Sequence, residues 1–363
     1  MSNQLPIRPE FIHKKPYGAP QLDVPVRLNT NENPYPHDEK FVQAVSQRLN
    51  PALETANRYP DRDAIELRAA LASYLTKQTG VSLSGDQIWA ANGSNEVLLQ
   101  LCQLFGGPNR FAIGFEPSYS MHSAIAELTH TKWIAVSRDQ NYDIDGTNLP
   151  SELAAAHLVF VCTPNNPTGN TTDLGLIAKI HEMTKGIVVV DEAYAEFSDT
   201  PSAITLLASH PRLAVVRTMS KAFGFAGIRL GYIAASTEMI SALQLVRLPY
   251  HLSTLTQQAA LAALADSGDL DQQVDELKNQ RELITQALRQ QGLTVIDSNA
   301  NFILFGKFSD QTKVWQFLLD KGVLIRDVGI SGWLRVTCGT PTENERFIAA
   351  IGEYLASNSE ETQ

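Results

Sequence analysis

The chain has 363 residues, 44% of them hydrophobic and 19% charged, enough to bury one large core or two unequal ones. A formal charge of −10 and a pI near 5.3, with no run of basic residues, argue against nucleic acid or an anionic membrane surface as a partner. Three scattered cysteines without CxxC or metal spacing, and no run of 18 apolar residues, point to a cytoplasmic protein with no metal and no membrane span.

Residues 1–36 are rich in proline and asparagine and end in LNTNENPYPH, which predicts an extended arm. Helical pattern begins near Phe41, and DRDAIELRAALASYLTKQTG has the acidic start and terminal glycine of a helix. Short apolar runs then alternate with helical stretches. QIWAANG precedes NEVLLQLCQLF, NRFAIGF precedes SYSMHSAIAEL, and HLVFVC precedes TDLGLIAKIHEMT. GIVVVDEAY, RLAVVRTMS and IRLGYIAA complete the series. Wholly apolar strands alternating with helices predict an α/β fold, a large domain with a mostly parallel sheet covered by helices. One long helical region is expected from about Thr254 to Gln291, with Val274, Leu277, Ile284 and Leu288 on one stripe. Beyond Gly292, strand and helix patterns mix as in a smaller α+β domain. The expected division is an arm, 1–36, packed with the small domain, a large ligand-binding domain, 37–253, and a small C-terminal domain, 254–363.

Three of the apolar runs end in polar motifs, VFVCTPNNPTG, VVVDEAY and VVRTMSK. In open parallel sheets ligands bind outside the carboxyl ends of the strands, so Asn166, Asp191, Tyr194 and Lys221 are candidates to converge on one ligand. Singly, an aspartate after a strand is an ordinary cap, NNPTG an ordinary turn and a lysine beside glycines a solvated residue. Pyridoxal phosphate is a ligand that needs them together. Its aldehyde requires a lysine amine, its ring nitrogen a carboxylate, its phenolic oxygen donors and its phosphate an anion cradle. ANGSNE lies between a strand and a helix and offers Ser94 and Asn95; Thr218, Ser220 and Arg229 flank Lys221. No GxxxxGK[ST], no GxGxxG after the first strand and no GxSxG elbow is present.

PNNPTG, DEAY and TMSKAFGFAGIRLGY, at these spacings, resemble the fold-type I pyridoxal-phosphate aminotransferases. LNTNENPYP, NRYPD, EPSYSMH, LPYHLST, GVLIRDVG and LRVTCGT resemble, more narrowly, the histidinol-phosphate aminotransferases. The resemblance implies transfer of an amino group from L-histidinol phosphate to 2-oxoglutarate, giving imidazole-acetol phosphate and glutamate in histidine biosynthesis. It also implies that Lys221 bonds the cofactor aldehyde, Asp191 pairs with the ring nitrogen, and Asn166 and Tyr194 contact the ring oxygen. Tyr119 would stack on the ring face, and Ser94, Asn95, Thr218, Ser220 and Arg229 would hold the phosphate. Tyr59 would reach the cofactor phosphate of a neighbouring subunit, implying a homodimer with shared sites. Tyr17, Asn33, Arg326 and Arg335 would form the substrate end. An aromatic-amino-acid aminotransferase and a threonine-phosphate decarboxylase are neighbouring readings on the same fold, and a non-catalytic cofactor-binding regulator is one of another class.

Overall fold

The computed structural model describes residues 5–14, 16, 18–265 and 268–359. The arm contributes strand β1 (Val26–Arg27), after which come helices α1 (Glu39–Glu54) and α2 (Ile65–Thr79). Strand β2 (Ile88–Asn92) leads into α3 (Ser94–Phe105), and β3 (Phe111–Glu116) into α4 (Met121–Leu128). β4 (Lys132–Ser137) and β5 (Leu158–Cys162) precede α5 (Leu174–Met183), then β6 (Ile187–Asp191), β7 (Leu213–Thr218) and β8 (Leu230–Ala235). The remainder is α6 (Thr237–Leu243), α7 (Thr254–Ala265), α8 (Gly268–Gln290), β9 (Thr294–Val295) and β10 (Phe302–Gly306). Helix α9 (Gln311–Asp320), strands β11 (Val323–Leu324), β12 (Arg326–Asp327) and β13 (Trp333–Thr337), and α10 (Pro341–Ser359) follow.

Seven strands form one sheet in the order β2-β8-β7-β6-β5-β3-β4, parallel except that β8 runs antiparallel to both neighbours. The all-apolar strands explain themselves by alternation. Val188 and Val190 of β6 enter the core on one face, Ile187 and Val189 the core on the other, so polar residues are pushed to the carboxyl end of the strand. Strands β10 and β13 lie at the centre of a four-stranded antiparallel sheet, β12-β13-β10-β9, covered by α8, α9 and α10.

Two elements differ from the sequence expectation. The single helical region from about Thr254 is two helices. α7, rich in alanine, packs on α1 and α2, while α8 turns Val274, Leu277, Ile284 and Leu288 into the core shared with the small sheet. These are different faces of the molecule, and one straight helix cannot serve both. The arm is also more than an extended tail. β1 pairs in parallel with β11, and Val26 and Leu28 are buried. Among the described residues no helix is long and apolar enough to cross a membrane.

Candidate active site

Parallel pairing brings the carboxyl ends of β5, β6 and β7 level. Cys162 pairs with Asp191, and Asp191 with Val216. The loops that leave these strands, the first turn of α3, the arm at residues 29–31 and the two arginines of β12 and β13 enclose a cavity of about 230 Å³. Of the residues expected from sequence, Ser94, Asn95, Tyr119, Asn166, Asp191, Tyr194, Thr218, Ser220, Lys221, Arg229, Arg326 and Arg335 all line it.

Asp191 is buried, and its Oδ2 lies 2.9 Å from Nε2 of the equally buried His122 on α4. His122 is itself stacked on Phe160 of β5, ring centroids 5.0 Å apart. A carboxylate accepts only, so the imidazole N–H donates and holds one oxygen while Oδ1 accepts from the Ala193 N–H at 3.2 Å. Tyr119 presents its edge to the same imidazole, and its hydroxyl donates to Asn95 Oδ1 at 3.3 Å. Beside this loop Arg217 is buried between Glu192, 2.8 Å away, and Glu196, 3.1 Å away, which clamps the segment after β6 onto β7.

Lys221 Nζ donates to the Thr30 carbonyl at 2.9 Å. Burial first, then the cations Arg335 and Arg229, push its ammonium down to about 8 against the opposing pull of Glu32. A lysine so placed gives up its proton far more readily than a solvated one. Tyr194 Oη accepts from Asn31 Nδ2 at 3.0 Å and from Asn166 Nδ2 at 3.4 Å, and burial holds its phenol above the ordinary range, hence protonated. Asn166 is oriented by Arg335, whose Nη1 donates to Asn166 Oδ1 at 2.6 Å while Nη2 donates to the Asn29 carbonyl at 2.8 Å.

At the other end Gly93 introduces α3 with φ +79°, and a Cβ there would lie 2.5 Å from Arg229 Nη2. A Cβ on Gly231 would lie 2.1 Å from the Ser94 amide nitrogen. Both glycines therefore keep a hollow open between the start of α3 and Arg229. The first N–H groups of a helix have no intrahelical acceptor, and Ser220 Oγ, which receives Thr218 Oγ1 at 3.0 Å and Arg229 Nη1 at 3.4 Å, closes the hollow. Hydroxyls, helix N–H groups and a guanidinium are a phosphate's partners. With an amine, a buried carboxylate and two donors, Asn166 and Tyr194, alongside, the residues fit pyridoxal phosphate.

Arg326 and Arg335 are register partners on adjacent antiparallel strands. Like charges directly opposite repel unless an anion lies between them. The cavity thus has a cationic group at each end and Lys221 between.

A model for aminotransferases of class I and II matches residues 24–351. The chain belongs to the class I and II aminotransferases. A histidinol-phosphate aminotransferase of Corynebacterium glutamicum strain R is 53% identical to this aminotransferase over 98% of each chain. One of Rhodococcus opacus strain B4 is 52% identical over 97% of this chain and 94% of its own. Among solved structures, the histidinol-phosphate aminotransferase of Sinorhizobium meliloti in complex with pyridoxal-5'-phosphate superposes with a TM-score of 0.83 at 24% identity, covering 92% of each chain. That likeness is one of fold.

Of the other expected site residues, two are not in the cavity lining and one lies outside the described residues. Asn33, expected at the substrate end, is not among the residues that line the cavity of the aminotransferase. Its Nδ2 donates to the Ala222 carbonyl at 3.1 Å and to Gln273 Oε1 at 2.8 Å, so it clasps the lysine turn to α8. Tyr59 is 79% exposed, stacked on Tyr250 and not part of its own chain's cavity lining. Tyr17 lies outside the described residues. Conversely, sequence reasoning passed over His122 and the arm residues Asn29, Thr30 and Asn31. EPSYSMH and LNTNENPYP contain His122 and residues 28–36, but neither motif says which members face inward.

Proposed function

We propose that this aminotransferase moves the amino group of L-histidinol phosphate to 2-oxoglutarate, with pyridoxal phosphate as cofactor. The observation that carries the reading is the cavity with Lys221 between two separate anion sites, the α3–Arg229 hollow for the cofactor and the Arg326–Arg335 pair for substrate. Identity above 50% to enzymes of that name over nearly the full length supports the substrate.

The chemistry the cofactor supplies is an aldehyde that exchanges amines and a cationic ring that takes up the electron pair left on the substrate carbon. The chain does the rest. The first turn of α3, Ser220 and Arg229 bind the phosphate, with Thr218 orienting Ser220. Asp191, steadied by His122, keeps the ring nitrogen protonated. Asn166 and Tyr194 would donate to the ring oxygen, and Tyr119 would cover one ring face. Lys221 Nζ would hold the cofactor through its aldehyde carbon and, once a substrate amine has taken its place, would be the free base that carries the proton; its lowered basicity suits both tasks. Arg335, with Arg326, takes the phosphate of one substrate and a carboxylate of the other, because a guanidinium fork accepts either anion.

The functional unit in this reading is a homodimer. Tyr59 and Tyr250 stand exposed beside Leu245 and Leu248, 81% and 73% exposed, on segments tied together by Arg247 and Asp63 at 2.6 Å. Covering that apolar face with a second copy brings Tyr59 toward the neighbour's phosphate hollow. Residues 37–253 form the cofactor-binding part, and the arm 1–36 with residues 254–363 supplies the substrate end.

The test is the ranking of donors with 2-oxoglutarate as acceptor. A phosphate can engage both Arg326 and Arg335 where the single carboxylate of phenylalanine engages one, and one extra charge-assisted contact at about 1.5 kcal/mol gives histidinol phosphate an advantage in kcat/KM of about 10-fold. Equal turnover of phenylalanine, or carbon dioxide release from threonine phosphate at a comparable rate, would sink the assignment.

A further inference from the structure

Asn31 sits on the arm, buried, with a left-handed backbone at φ 56°, and uses every polar group it has. Its N–H donates to Thr337 Oγ1 of β13 at 3.0 Å, and its carbonyl accepts from Asn301 Nδ2 at 3.2 Å. Its side-chain Oδ1 accepts from Thr337 Oγ1 at 3.0 Å, and its Nδ2 donates to Tyr194 Oη at 3.0 Å. The Thr337 hydroxyl thus accepts from the backbone of Asn31 and returns its own proton to the side chain of the same residue. That reciprocal pair leaves the amide one orientation, oxygen toward Thr337 and nitrogen toward Tyr194.

A phenol oxygen has one proton and two acceptor sites. On Tyr194 the acceptor sites receive Asn31 Nδ2 and Asn166 Nδ2, and among the described residues no acceptor is recorded for the proton. The ring cannot swing away, since Phe302 packs against it edge to face with centroids 5.0 Å apart. The one direction left for the O–H is the cavity. We infer that Asn31 is a positioning residue, which, locked by Thr337, fills an acceptor site on Tyr194 and so commits Tyr194 to donate its proton to the ring oxygen of the cofactor. A residue of the arm and a threonine of the small sheet, 306 positions apart in sequence, thereby act on a tyrosine of the large sheet.

This rests on Tyr194 facing the cofactor's ring oxygen, and the test separates the two statements. A donor on that oxygen stabilises its anion. Without it, the oxygen holds the proton on the neighbouring lysine-derived nitrogen more tightly, and loss of that proton moves to higher pH. The visible absorbance of the holoenzyme reports the titration directly, without turnover. The charged and titratable groups that face Tyr194 and Lys221, namely Arg335 from β13, Asp191 and Cys162 at the strand ends, Arg229 and the arm residue Glu32, are the same residues in every variant, as is Lys221, 5.9 Å from the Tyr194 ring. Thr337→Val removes the lock and Thr337→Ser retains it; Asn31→Ala removes the amide itself.

The expected result is a titration midpoint raised by about one pH unit in Thr337→Val and Asn31→Ala, the equivalent of one weakened hydrogen bond to an anion. Thr337→Ser should titrate with the wild type. If Tyr194→Phe shifts the midpoint while Thr337→Val and Asn31→Ala do not, positioning by Asn31 is overturned. If Tyr194→Phe itself leaves the midpoint in place, Tyr194 does not face the ring oxygen, and the inference falls with that placement.

Discussion

Replacing Lys221 by methionine in the cofactor-free protein should stabilise it, although the lysine is the residue on which activity depends. The side chain is held in the cavity with its ammonium depressed from 10.5 to about 8, burial contributing most and Arg335 next. That difference corresponds to about 3 kcal/mol of unfavourable charge burial at pH 7. Methionine keeps the length and apolar stem but leaves the Thr30 carbonyl unmet, which takes back about 1 kcal/mol. The net expectation is a gain of about 2 kcal/mol. The sign with pH follows from proton counting. Between about 8 and 10.5 the unfolded lysine is protonated and the folded one is not, so wild-type stability rises through that window. The advantage of the variant is therefore full below pH 8 and fades by 10.5. Urea unfolding of both proteins, free of cofactor and at one protein concentration, from pH 7 to 10.5 measures it. A wild type at least as stable at pH 7, with a difference that stays flat across the window, would refute the electrostatic reading of the cavity.

The other perturbations probe separate parts of the site. His122→Phe preserves the stack on Phe160 but leaves Asp191 Oδ2 unheld; kcat should fall about 10-fold or more with cofactor still bound, and an unchanged kcat would remove His122 from the mechanism. Arg335→Lys loses the planar fork, so KM for histidinol phosphate and for 2-oxoglutarate should both rise about 10-fold; a rise for one alone would show that the anions have different anchors. Tyr59→Phe should weaken cofactor binding about 5-fold, by the loss of one hydrogen bond across the subunit boundary. Titration of the apoprotein with pyridoxal phosphate tests this, and an unchanged Kd would leave Tyr59 a surface residue.

Much of this molecule is readable from its sequence because a parallel sheet buried on both faces writes itself as uninterrupted apolar runs. HLVFVC, GIVVVD and RLAVVR each become a strand of the large sheet, and the polar residues at or just past the ends of these runs face either the cavity, as Asn166, Asp191 and Lys221 do, or one another, as Arg217 and Glu192 do. For that reason Asn166, Asp191 and Lys221 were legible. The arm was not, since the bonds of Asn31 run to Tyr194, Asn301 and Thr337, partners that no local pattern can announce. Asn33, two residues on in the same motif, faces α8 instead, because the left-handed turn at Asn31 redirects the chain. His122 was hidden for a related reason. A lone histidine on a short helix gives no periodic signal, and its meaning comes from the carboxylate across the sheet. The break between α7 and α8 was there to be read, since the run ADSGD puts a Ser-Gly pair between two helical patterns, and the different partners the two helices cover require it.

The central claim is that this chain, with Lys221 as the residue that holds the cofactor and moves the proton, takes the amino group from histidinol phosphate, and a half-reaction tests it most directly. L-histidinol phosphate is added to the holoenzyme without 2-oxoglutarate, and the visible spectrum and the products are followed together. Loss of the lysine-bound cofactor band, with one imidazole-acetol phosphate formed per subunit and the band restored by 2-oxoglutarate, is the predicted result, and Lys221→Ala should show none of it. A band unmoved by histidinol phosphate, or a Lys221→Ala protein that completes the cycle at the wild-type rate, would contradict the account.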